Sequence, residues 1–146
     1  MKDFFLKHPS TRLAIDLNNR YTPYIDDAEL QTRVYKYIIA NKNNLIVLEG
    51  EGQGKYWFKE AIEKILLRYS EIAPQYDLYS AEYIILKLIY AKDQIMHAQD
   101  IIDLGEFLLN FPEENFSAWG SCITQTSITG NRVLLVALNL DKLNCE

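Results

Sequence analysis

Four consecutive apolar residues, Leu45-Ile46-Val47-Leu48, stand between Asn44 and the Glu49-Gly50 pair, and they leave little choice of local structure. A run with no polar member cannot present one face to water, so it reads as a short strand covered on both sides. The sequence around it supplies the covering layers. From about Tyr56 to Ser70, Phe58, Ile62, Ile65 and Tyr69 recur at helical spacing. On the other side, Lys59/Glu63 and Glu60/Lys64 form i,i+4 pairs, and the helix ends before Pro74.

Upstream, Asp26 reads as an N-cap with Glu29 three positions on, and Leu30, Val34, Tyr37 and Ile38 follow at helical spacing up to the asparagines at 41–44. The residues before Pro23 show no strong pattern. Downstream, Ser80 reads as the cap of a helix that runs past Asp100, and Leu104 to Leu109 add one or two more turns before Pro112. The C-terminal part changes character. Residues 122–128 alternate, Thr129-Gly130-Asn131 supplies turn residues, and residues 132–140 are β-rich, so a terminal hairpin is expected. The expected fold class is α+β (mixed), with at least three helices packed on a small sheet with a C-terminal β-hairpin. No linker or repeat divides the chain, so residues 1–146 are expected to form a single globular domain.

Composition excludes several classes. The chain is 49% hydrophobic and 12% aromatic, enough apolar area to offset chain entropy, which argues against disorder. No apolar stretch approaches the roughly 20 residues that span a bilayer. The opening Met1 to His8 lacks the apolar core of a secretory signal, so a cytoplasmic location is expected. Cys122 and Cys145 lie in no Cys-x-x-Cys pair, and free thiols are the default in a reducing compartment.

The order strand, Gly50-Glu51-Gly52-Gln53-Gly54-Lys55, helix has the outline of a phosphate loop. The details depart from it. Glu49 stands where the G-x-x-x-x-G-K-[ST] pattern needs its first glycine, and Tyr56 where it needs a magnesium-binding hydroxyl. Glu49 and Glu51 would also repel a polyphosphate. The G-x-G-x-x-G alternative fails because Lys55 replaces its third glycine. A structural turn is the favoured reading, with binding by this loop left open. No catalytic, cofactor-binding or metal-ligating residue is assigned: Asp93, His97 and Asp100 lack a recognisable further ligand, and Ser121 and Cys122 lie in no nucleophile motif.

The expected helix from Ser80 carries the most informative pattern. Ile84, Leu88, Ala91, Ile95, Ala98 and Ile102 form an aliphatic seam, and the opposite face presents tyrosines and then acids. Residues 75–114 hold eight Asp and Glu against two Lys, a local excess of negative charge larger than the net −5 of the whole chain. The residues expected to bind a partner are Tyr79, Tyr83, Tyr90, Asp93, His97, Asp100, Asp103 and Glu106. A surface of this sign repels nucleic acid and anionic membranes and attracts a basic protein.

In size, acidity and lack of catalytic equipment the chain resembles the immunity proteins and antitoxins that cover the basic cleft of a nuclease toxin, a resemblance by analogy with no shared motif. The expected function is therefore a binding protein, not an enzyme. A structural, oligomerisation or adaptor module is the alternative, for which the seam and hairpin are compatible with a homodimer. A nucleotide-handling enzyme using the degenerate glycine loop is the second alternative.

Overall fold

A computed structural model describes residues 4–6, 44–124 and 130–143 of the protein. Strand β1 (Phe4–Leu6) precedes β2 (Leu45–Gly52), which contains the apolar run and extends it by four residues. Helix α1 (Trp57–Ile72), the short strand β3 (Tyr76–Asp77) and one turn of 3-10 helix (Leu78–Ser80) follow. Then come β4 (Tyr83–Tyr90), α2 (Ala98–Leu108), β5 (Phe116–Ile123), β6 (Asn131–Leu138) and β7 (Asp141–Lys142).

Five strands form one sheet in the order β1-β2-β6-β4-β5, and β3 and β7 pair separately. β6 lies antiparallel between β2 and β4, while β4 and β5 are parallel. β2, β4 and β5 therefore point the same way, joined by crossovers through α1 and α2. Both crossovers step across the sheet in one direction, so the right-handed rule puts both helices on one face. The core agrees: Ile46, Leu48, Ile84, Leu86, Leu88, Val133 and Leu135 pack with Trp57, Phe58, Ile65, Leu104 and Phe107. The opposite face is buried too, at Leu45, Val47, Tyr83, Ile85, Leu134, Val136 and Leu138, as the unbroken apolar run requires.

α1 is the helix expected from Tyr56. It lies so close to β2 that a Cβ on Gly50 would sit 2.2 Å from the Ala61 carbonyl oxygen, and one on Gly52 2.1 Å from that of Trp57. These two glycines serve helix–sheet contact.

Three expectations are corrected. Among the described residues there are two α-helices, where the expected fold class had at least three; the helix expected from Asp26 falls outside the described residues. The helix expected from Ser80 is strand β4, followed by a loop and α2, which absorbs Leu104 to Leu108. Only Lys87 interrupts the apolar run of β4, so the run satisfies a helical and a strand period equally, and its isoleucines and tyrosines favour the strand. Asp77, not Ser80, caps the 3-10 turn, accepting from Tyr79 N at 3.0 Å. Finally, β5 and β6 do not form a hairpin, because β4 lies between them. β6 is apolar on both faces and belongs at the centre of the sheet, whereas β5, with Ser117, Gly120 and Ser121, suits an edge. Among the described residues no helix is long and apolar enough to cross a membrane.

Candidate functional site

The carboxyl ends of β2 and β4 meet the N-termini of both helices at one edge of the sheet, where ligands of open α/β sheets commonly sit. Three distant parts of the chain are tied together there by Asp100, which is 1% exposed. Its Oδ1 accepts from Trp57 Nε1 at 3.0 Å, and its Oδ2 accepts from the Tyr90 hydroxyl at 2.8 Å and from His97 N at 3.1 Å. Burial and then the Asp100 carboxylate push the Tyr90 hydroxyl far above its ordinary pKa, so it remains a donor. Asn131, at the start of β6, accepts from Ala91 N through Oδ1 at 2.9 Å and closes the same corner.

Over this scaffold lie two adjoining cavities of about 630 and 280 Å³. The larger is bordered by Lys55, Trp57, His97, Gln99, Ile102 and Asn131. The smaller runs from Gly52 and Gln53 past Lys92 to Gly130 and shares Gly54, Gln94 and Asn131 with the first. Gly54 takes a positive φ of 81° in the turn before α1. Among the described residues no carboxylate lines either cavity, while Lys55, Lys92 and His97 do. The acids lie elsewhere: Lys59 faces Asp103 at 3.7 Å and Glu106 at 3.8 Å in a separate groove with Glu63. Among the described residues no cluster of three or more His, Cys, Asp or Glu is placed to hold a metal ion.

A second exposed feature is β5. Among the described residues it pairs only with β4, and no described strand covers its other edge. Its sequence contains no charge and no proline. Trp119 is 40% and Ile123 55% exposed, and their register with Leu86 and Tyr90 puts both on the helix-bearing face.

The eight expected partner-binding residues do not share a surface. Tyr83 and Tyr90, seven apart on a strand, point to opposite faces, and both are buried. Tyr79 is half-buried against Phe111, ring centroids 5.3 Å apart. Asp100 and Asp103 are buried, and Glu106 is exposed beside Lys59. Asp93 lies in the exposed loop after β4. Only His97 lines the cavities described above, with Asp100 behind it. Trp57, Lys92, Gln94 and Asn131 carried no signal in the sequence beyond an amphipathic helix and turn residues, because strands far apart in the chain bring them together.

No protein-family model matches the chain, and no curated protein matches it. Solved structures do. The W319Y mutant of FtsZ from M. jannaschii superposes with a TM-score of 0.60 at 16% identity, over 80% of this chain and 32% of that one. An empty FtsZ dimer from M. jannaschii gives 0.55 at 16% identity, over 84% and 36%. A GTPγS-form protofilament of TubZ from Bacillus thuringiensis serovar israelensis gives 0.52 at 8% identity, over 68% and 26%. The likeness is one of fold, and the chain spans about a third of the length of these proteins. It overturns the immunity-protein and antitoxin expectation, since these neighbours are FtsZ and TubZ folds and not inhibitors of that kind.

Proposed function

We propose that the chain is a non-catalytic assembly module on the fold it shares with FtsZ and TubZ, and that it joins a second copy of itself through the outer edge of β5. The observation that carries the reading is that edge: eight residues without charge or proline, flanked by the exposed rings and methyls of Trp119 and Ile123. Isolated edges are usually blunted by lysine, proline or a bulge, and this one has neither residue. Pairing it with another β5 satisfies the backbone donors and acceptors and removes Trp119 from water. The neighbours give independent support, since one is a dimer and another a protofilament. The glycine loop lends little to a nucleotide-handling reading, because Gly50 and Gly52 are taken up by contact with α1.

Sedimentation velocity over a concentration series tests this. The wild-type chain should show reversible self-association. Trp119→Lys should abolish it, leaving the circular dichroism spectrum intact because that side chain is not in the core. A wild-type chain that stays monomeric at every concentration, or association unchanged by Trp119→Lys, refutes the proposal.

A further inference from the structure

We infer that the paired cavities at the carboxyl edge of the sheet bind the phosphate group of a small phosphorylated metabolite. This rests on geometry separate from the β5 edge. The carrying observation is Asn131, which is 7% exposed and lines both cavities. A backbone N–H only donates, so the bond from Ala91 N fixes Oδ1 as the occupied end of the amide. Nδ2 is then the remaining donor of the amide. It offers a donor at the wall that the two cavities share.

The surroundings select an anion. Lys55, Lys92 and His97 border the cavities and, among the described residues, no carboxylate does, in a chain whose net charge is −5. Tyr56, the N-cap of α1, makes no side-chain capping bond, and the positive end of this 16-residue helix borders the larger cavity. The volume of about 630 Å³ lies in the range of small-molecule sites. Trp57, Ala98 and Ile102 make one wall apolar, which suits the carbon skeleton attached to a phosphate better than a bare ion. The acids around Lys59 lie outside this lining and do not neutralise it.

Trp57 borders the cavity and reports on it. With Trp119→Phe as background, the intrinsic fluorescence is followed against inorganic phosphate, glycerol 3-phosphate and guanosine monophosphate, at matched ionic strength with chloride as control. A saturable change with at least one of the three, tighter for an organic phosphate than for inorganic phosphate, is expected. The ranking of the two organic arms assigns the skeleton. Asn131→Asp keeps the acceptor for Ala91 N and replaces the donor by negative charge, so it should abolish binding. Lys55→Ala, at an exposed position, should weaken it by about tenfold, as loss of one charge-assisted bond does. Thermal melting separates misfolding from loss of binding, and Lys55→Ala remains decisive if Asn131→Asp fails to fold. Absence of any saturable change with all three phosphates, or binding insensitive to Lys55→Ala, overturns the inference.

Discussion

Asp100 shows how far a single residue can be read from its neighbours in sequence. Its spacing from Asp93 and His97 suggests a solvated acidic face, but Trp57 and Tyr90 reach it from other elements and fix it inside. Nothing within the local sequence announces those donors. Lys87 is the converse case, a charge that the sequence marks as an interruption and the structure buries on the sheet face away from the helices. Burial lowers its pKa from 10.5 to about 8, with Cys122 and Glu49 opposing the shift. Between these values the unfolded chain holds a proton that the folded chain has released, so the Lys87 contribution to stability rises with pH from about 8 to 10.5. Urea titrations should show the wild type gaining about 1 kcal/mol relative to Lys87→Met between pH 7.5 and 9.5, roughly half of the full linkage of ~1.4 kcal/mol per unit above 8, because solvent partly screens the ammonium. Parallel pH profiles would show that Lys87 is not buried as described. Stopping at pH 9.5 matters because burial raises the Tyr69, Tyr79 and Tyr90 hydroxyls, an effect that costs stability above the ordinary tyrosine value near 10.

At the scale of elements, α1 was legible because its amphipathic period is clean and its ends are marked by Gly54 and Pro74. β4 was not, since a continuous apolar run carries no period and only its sheet neighbours decide it. The glycines before α1 were legible as a turn, and the structure assigns two of them to the close approach of helix and strand. Gly50→Ala places a methyl group 2.2 Å from the Ala61 carbonyl, which forces α1 away from the sheet and should cost about 3 kcal/mol in denaturant midpoint analysis. Gly105→Ala, within α2 and with nothing within 4 Å of the added carbon, should instead stabilise by about 0.5–1 kcal/mol. Equal effects at the two positions would contradict the described contact between α1 and β2.

For the whole molecule, the decisive fact is that the last long strand occupies the centre of the sheet. Leu45 pairs with Leu138, and Tyr83 pairs with the same residue from the other side. Closing loops of that length before the contacts form makes folding slow, and no sheet stands until the C-terminal segment arrives. A chain truncated after Gly130 therefore retains every residue of α1, α2 and β4, yet should lose cooperative melting and the dispersed amide spectrum of a folded protein. Retention of a cooperative transition would show that β6 is dispensable. The same topology leaves β5 at the rim, and a hairpin, as the sequence suggests, would have hidden that edge.

The amino-acid sequence determined which segments are apolar, where α1 begins and ends, that the glycine loop departs from known phosphate loops, and that the chain is acidic. These are local properties, set by side-chain chemistry within about one helical turn or one strand. Strand order, the burial of Asp100 and the convergence of Asn131 with Lys55 and His97 were decided only by the tertiary structure. Each depends on pairing between residues 40 to 93 positions apart, and an apolar run carries no mark of which other run it will meet.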